Sequence, residues 1–164
     1  MNPAGGLAVV RVTMPEEWGE VAALMRTYLA GLPFEVDFQD VDVELADVAA
    51  YYGGDDGGAW LLREAGSPAV GTVALHRFDA TRAELKRMYV TPEARGTGGG
   101  RALAVAAIGH ARALGYDGLL LDTVASLTSA IRIYESLGFV AIDAYRHNPR
   151  PDARYFHLDL SAQP

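Results

Sequence analysis

Residues 95–101 read Arg-Gly-Thr-Gly-Gly-Gly-Arg. Gly96, Gly98, Gly99 and Gly100 surround Thr97, with Arg95 before them and Arg101 after. Glycines admit positive φ and let a ligand approach where a Cβ would intrude. A turn of this kind that opens a helix aims several unpaired N–H groups at one point, where the helix dipole also favours negative charge. Its natural guest is a phosphate or pyrophosphate. A P-loop is excluded, because Gly100 is followed by Arg101-Ala102 rather than by Lys-Ser/Thr. A dinucleotide fingerprint fails at its third glycine, although Asp122 supplies an acid at the end of the next strand. What the residues do spell is R-x-x-G-x-G, from Arg95 through Gly98 to Gly100.

Three other side chains could move protons. Glu84 and Asp122 are carboxylates, and a carboxylate near pKa ~4 takes a proton from an ammonium near ~10 only after burial or through a water. Tyr134 is a phenol near pKa ~10, able to protonate a thiolate. Each has a plainer reading. Glu84 could be a surface strand residue paired with Lys86 or Arg82, and Tyr134 lies on the apolar stripe of its helix. The four histidines have no metal-ligand spacing, so no metal site is expected.

The elements that must hold these residues follow from periodicity. Residues 7–12 form a first strand, and Thr13-x-x-Glu16 reads as a capping box for the helix after it. That helix carries Val21, Leu24, Met25, Tyr28, Leu29 and Leu32 on one face, as core, and Pro33 ends it. Residues 34–45 are an acidic and aromatic connector: Phe34 and Phe38 can tuck into the core, and Glu35 and Asp37 can attract a cation. A second helix spans 43–51. Strands at 59–64, 69–76 and 83–90 precede the glycine turn. The helix after it buries Leu103, Ala107, Ile108, Ala111 and Leu114, with Gly115 at its C-terminus. A strand at 118–122 leads to a helix capped by Ser126 or Thr128, with Leu127, Ala130, Ile131, Tyr134 and Leu137 sharing a face and Gly138 as its stop. A short strand starts at Phe139, a basic loop spans 145–152, and residues 153–160 form the last strand. The order β-α-α-β-β-β-α-β-α-β-β predicts an α/β protein with one mixed sheet and helices on both faces.

The loop resembles the coenzyme A loop of the GCN5-related N-acetyltransferase (GNAT) family. The resemblance runs from Val9 to Leu160 and is most specific in LKRMYVTPEARGTG and LDTVASLTSAIRIYESLGF, which look like small-molecule-type bacterial members. It implies the acyl-CoA N-acyltransferase fold, with the strands on either side of the loop and its helix running parallel and splaying apart. It implies acetyl-CoA as co-substrate, bound by the backbone at Met88, Tyr89 and Val90, by Arg95, Gly96, Thr97, Gly98, Gly99, Gly100 and Arg101, and by Ser126 and Ser129. Met88 would offer its amide to the thioester carbonyl, Tyr134 would act as general acid and Glu84 as general base. Two departures stand out. Leu127 occupies a position where many members have a coenzyme-touching asparagine, and Gly99 replaces a bulky apolar residue, which should loosen the loop.

Composition bounds the rest. The 164 residues fit one N-acetyltransferase domain spanning 1–164, with a net charge of −7 that disfavours nucleic acid and mildly favours a cationic substrate. The absence of cysteine excludes disulfides, thiolate metal sites and a cysteine nucleophile. No signal peptide or membrane span is legible, so a cytoplasmic protein without a membrane partner is expected. The expected partner is a small-molecule amine, and pairing of the last strands in similar proteins suggests a homodimer. A coenzyme A-binding sensor without turnover and a small nucleotide-binding oxidoreductase are the alternatives.

Overall fold

The computed structural model describes residues 6–36 and 40–161, so Asp37 and Phe38 lie outside the described residues. The order is β1 (Ala8–Arg11), α1 (Glu17–Ala30), α2 (Val41–Ala46), α3 (Val48–Tyr52), β2 (Gly58–Arg63), β3 (Gly71–Arg77), β4 (Arg82–Val90), α4 (Gly99–Ala113), β5 (Gly118–Val124), α5 (Thr128–Ser136), β6 (Val140–Ile142) and β7 (Ala153–Asp159). The strands form one mixed sheet in the order β1-β2-β3-β4-β5-β7-β6. Every pair is antiparallel except β4 and β5. The α/β mixed sheet anticipated from the order of elements is the one that forms.

Both faces of the sheet centre are covered. Trp60, Leu62, Val73 and Leu75 pack with Leu103, Ala107 and Ile108 of α4. Ala59, Leu61 and Ala74, pointing the other way, pack with Val21, Leu24 and Met25 of α1 and with Val48 and Tyr52 of α3. Burial on two faces explains why β2 and β3 are apolar without alternation. Each such Val or Leu contributes about 1.5–3 kcal/mol on leaving water.

Local details differ from the periodicity reading where a side chain competes for the backbone. The expected helix over 43–51 is split at Asp47, whose carboxylate accepts from Ala50 N–H at 2.9 Å and caps α3. The α1 entry uses Glu17 rather than Glu16: its Oε2 accepts from the N–H groups of Thr13 and Met14 at 2.8 and 3.0 Å. Neither Ser126 nor Thr128 caps α5, because Leu127 holds the N-cap position and no side chain bonds there. Leu114 ends α4 and is 38% exposed rather than core. Gly115 and Gly138, at φ 84° and 96°, stop α4 and α5 as expected.

Candidate active site

The site begins where the parallel pair comes apart. β4 and β5 pair from Arg82↔Gly118 to Glu84↔Leu120 and then separate. β4 itself is bent: Val73 of β3 faces both Arg87 and Met88, as the register passes from Thr72↔Tyr89 to Ala74↔Lys86. A bulge of this kind turns the strand and increases its twist. Arg87 sits at φ 57°, in the left-handed region that bulges usually give to glycine. A side chain there costs about 1–2 kcal/mol. The separation opens a cleft bounded by Tyr28 and Phe34, by Arg87 and Met88 of β4, by Asp122 of β5 and by Tyr134 of α5.

Beyond the end of β4 lies the glycine corner. A single 3₁₀ turn, Pro92–Ala94, leads into it, and Gly96 and Gly98 take φ of 80° and 85°. Thr97 Oγ1 donates to the Ala94 carbonyl at 2.7 Å and accepts from Gly99 N–H at 3.3 Å, fixing the turn. The first bond across the start of α4 runs from Ala102 N–H to the Gly98 carbonyl at 3.0 Å. The amides of Gly100 and Arg101 precede it, and no side chain caps this end. Arg95 is exposed, its Nε donating to the Val90 carbonyl at 3.1 Å, and Arg101 is exposed beside it. These groups fit an anionic diphosphate. Gly99 does not loosen the turn: it is buried, and a Cβ there would collide with the Leu62 side chain. Gly100 lies against Ile133 of α5, within 3.2 Å of where its own Cβ would sit, so the corner packs on the helix whose Tyr134 lines the cleft.

The proton-handling candidates separate. Glu84 is 1% exposed, not a surface strand residue, and it is not among the cleft-lining side chains. Its Oε2 accepts from the Tyr145 hydroxyl at 2.7 Å, Arg146 Nη2 reaches both of its oxygens at 2.8–2.9 Å, and Lys86 Nζ stands at 3.6 Å. Asp122 does line the cleft, and Asn148 Nδ2 donates to it at 3.3 Å. Burial, reinforced by the Glu84 carboxylate, raises the Asp122 pKa against the pull of Arg146 and Lys86. Tyr134 is 7% exposed and held edge-on by Phe139, with ring centroids 5.6 Å apart. Burial, with Tyr28 and Asp122 nearby, pushes its hydroxyl above the ordinary phenol value, so it stays protonated.

A second buried pair borders the same cleft. Arg87 Nε and Nη2 donate to the Glu44 carboxylate at 3.0 and 2.8 Å, and the Tyr52 hydroxyl donates to Glu44 Oε1 at 2.6 Å. Burial pushes the Glu44 carboxyl up, but the guanidinium and the hydroxyl together hold it below the usual carboxylate range.

Other expected site residues are placed as follows. Met88 lines the cleft, while Tyr89 and Val90 continue β4 toward the glycine turn, the Tyr89 ring turning to Tyr28 on the opposite core. Ser126 and Ser129 are exposed at the start of α5. Both arginines of the basic loop are paired: Arg146 serves Glu84 of β4, and Arg150 forks onto Asp152 at 2.9 and 3.0 Å while its guanidinium covers the Phe34 ring at 3.8 Å. Among the described residues no group of three or more His, Cys, Asp or Glu could hold a metal ion. Sequence reasoning took Tyr28 and Leu32 as core, and missed Asn148 and the Glu44–Arg87 pair. For Tyr28 the hydroxyl on an apolar stripe was a signal; for the others, the sequence offers none.

Residues 21–139 match the acetyltransferase (GNAT) family. An uncharacterized N-acetyltransferase of Schizosaccharomyces pombe is 35% identical over 162 residues, covering 98% of this chain and 99% of that protein. A GNAT-family acetyltransferase of Staphylococcus aureus Mu50 superposes with a TM-score of 0.77 at 22% identity, covering 94% of this chain and 99% of its own. A Salmonella typhimurium structure described as a putative acetyltransferase with its cofactor acetyl-CoA gives 0.72 at 18% identity, covering 95% of each chain. The protein belongs to the acetyltransferase (GNAT) family and is an N-acetyltransferase.

Proposed function

We propose that the protein moves an acetyl group from acetyl-CoA to a primary amine by direct attack in a ternary complex. The observation that carries this reading is the meeting of Asp122 and Tyr134 in one cleft, with the glycine corner packed on Ile133, the residue before Tyr134 in α5. The amides at Gly100 and Arg101, with Arg95, receive the diphosphate, and the open edge of β4 from Met88 to Val90 guides the arm inward. Met88 N–H faces the thioester oxygen as negative charge grows on it. Asp122 holds the incoming ammonium and takes a proton from it, and its raised pKa suits that task. Glu84, with both oxygens already accepting, holds Lys86 and Arg146 in place instead. As the new C–N bond forms and the C–S bond breaks, the Tyr134 hydroxyl donates to the departing sulfur, and the second proton that nitrogen sheds on becoming an amide restores the phenol. Leu32, Phe34 and Val36 give the acceptor side an apolar wall, which suits an amine on an uncharged stem.

Thiol release from acetyl-CoA tests this, measured against alkyl and aralkyl amines, polyamines, free amino acids and peptide N-termini. Turnover on at least one amine is expected. Tight acetyl-CoA binding with no turnover on any of them would favour a coenzyme sensor, and no binding at all would end the reading.

A further inference from the structure

We propose that Arg87 is a positioning residue for this transfer: its ion pair with Glu44 fastens helix α2, whose Val41, Asp42 and Val43 line a pocket that shares Leu32, Phe34 and Val36 with the cleft, to the bulge of β4, so that this pocket and the β4 wall of the cleft are set as one unit. The proposal rests on the acetyl-transfer reading and adds to it a requirement that the glycine corner does not share.

Helix α2 is six residues long, too short to persist by itself, and Glu44 is its one fully buried residue. It is therefore docked by a buried carboxylate, with half-buried Leu45 packed against the core beside it. That carboxylate is gripped from two sides, by Arg87 of β4 and by Tyr52 of α3. Arg87 in turn occupies the bulge position in a backbone conformation that favours glycine. Its side chain is 7% exposed, and Glu44 is fully buried. A planar fork can hold a carboxylate in one orientation, which an ammonium cannot do. Met88, whose backbone faces the reacting thioester in the reading above, is the next residue. A change in the tilt of α2 therefore reaches the bulge through the hydrogen bonds between Glu44 and Arg87, and the reverse holds as well.

A merely structural ion pair would lower the melting temperature and leave the folded enzyme's turnover alone. Positioning predicts a split. Arg87→Gly relieves the backbone and removes the pair, Arg87→Lys keeps the charge without the fork, and Glu44→Gln removes the charge from the other end. In each, kcat on the best amine should fall about tenfold or more, as a small misplacement of reacting groups does. Acetyl-CoA affinity by calorimetry should stay within about threefold of the unmodified protein, because the glycine corner is untouched. The Arg87→Gly/Glu44→Gln double variant should be no slower than the worse single variant, since both remove one interaction. Unchanged kcat in any single variant that folds, or losses that multiply in the double variant, would overturn the proposal. Should Arg87→Gly fail to fold, Arg87→Lys and Glu44→Gln carry the same decision. No turnover by the unmodified protein on any amine would instead sink the acetyl-transfer reading, and this proposal with it.

Discussion

The two ends of the candidate site are built from different materials. The glycine corner is backbone: small residues at positive φ, a threonine that locks the turn, and amides at a helix start, all within residues 92–102. The acceptor end is side chain: Glu44 with Arg87, Glu84 with Tyr145 and Arg146, Asp122 with Asn148, joining residues 26 to 62 positions apart. In the proposed reading a diphosphate has the same shape whatever acyl acceptor is used, so a rigid backbone cradle suits it. In that reading the acceptor end has to exclude water, hold a proton acceptor and shape a pocket, and buried ion pairs suit this by fixing long side chains in place. Changes at one end should therefore act on coenzyme affinity, and changes at the other on turnover.

The sharpest challenge to that division is Asp122→Asn. It should lower kcat/KM by about a hundredfold to ten-thousandfold, while acetyl-CoA still binds. In the unmodified enzyme kcat/KM should rise with pH as Asp122 loses its proton, with a midpoint above the ordinary aspartate value near ~4, and the variant should lose that limb. The same substitution should raise the melting temperature at neutral pH. A carboxyl whose folded pKa is raised favours the fold below its unfolded pKa and loses that contribution as pH climbs through the folded one. A lower melting temperature at neutral pH would show that Asp122 is structural.

Gly98→Val attacks the other end. At φ 85° a branched residue is strained, so the turn should shift and acetyl-CoA affinity should fall about a hundredfold, the loss of one or two bonds to a charged group. Circular dichroism should show the fold retained. Affinity within error of the unmodified protein would remove the diphosphate from this corner. Tyr134→Phe belongs to the acceptor end and should cost about tenfold or more in kcat with little change in coenzyme affinity. Equal turnover would retire the proton-donor role. The smallest effect is expected for Ser126→Ala combined with Ser129→Ala, both exposed at the start of α5. Acetyl-CoA affinity should move by less than about threefold; a larger loss would bring these hydroxyls into the coenzyme site.

Legibility in the sequence follows the same line. Strand and helix order, both helix-stopping glycines and the glycine corner were readable because each rests on neighbours within a turn or a strand. Small local errors arose where a nearby side chain took over the backbone, as Asp47 does in splitting the second helix and Glu17 does at the start of α1.

Glu84 shows what a sequence cannot settle. The family resemblance marked it for proton transfer, yet Arg146 and Tyr145, some sixty residues on, occupy its oxygens, and among the described residues Asp122 is the carboxylate lining the cleft. The bulge at Arg87 carries no glycine to announce it, and its partner Glu44 lies 43 residues away in a short acidic helix. The sequence alone determined the mixed sheet and the glycine corner, because local backbone preference and periodicity encode those, while the reaction class came from its resemblance to the acetyltransferase family. Which carboxylate lines the cleft, and what clamps α2 to the sheet, was decided only when folding brought distant charges together out of water.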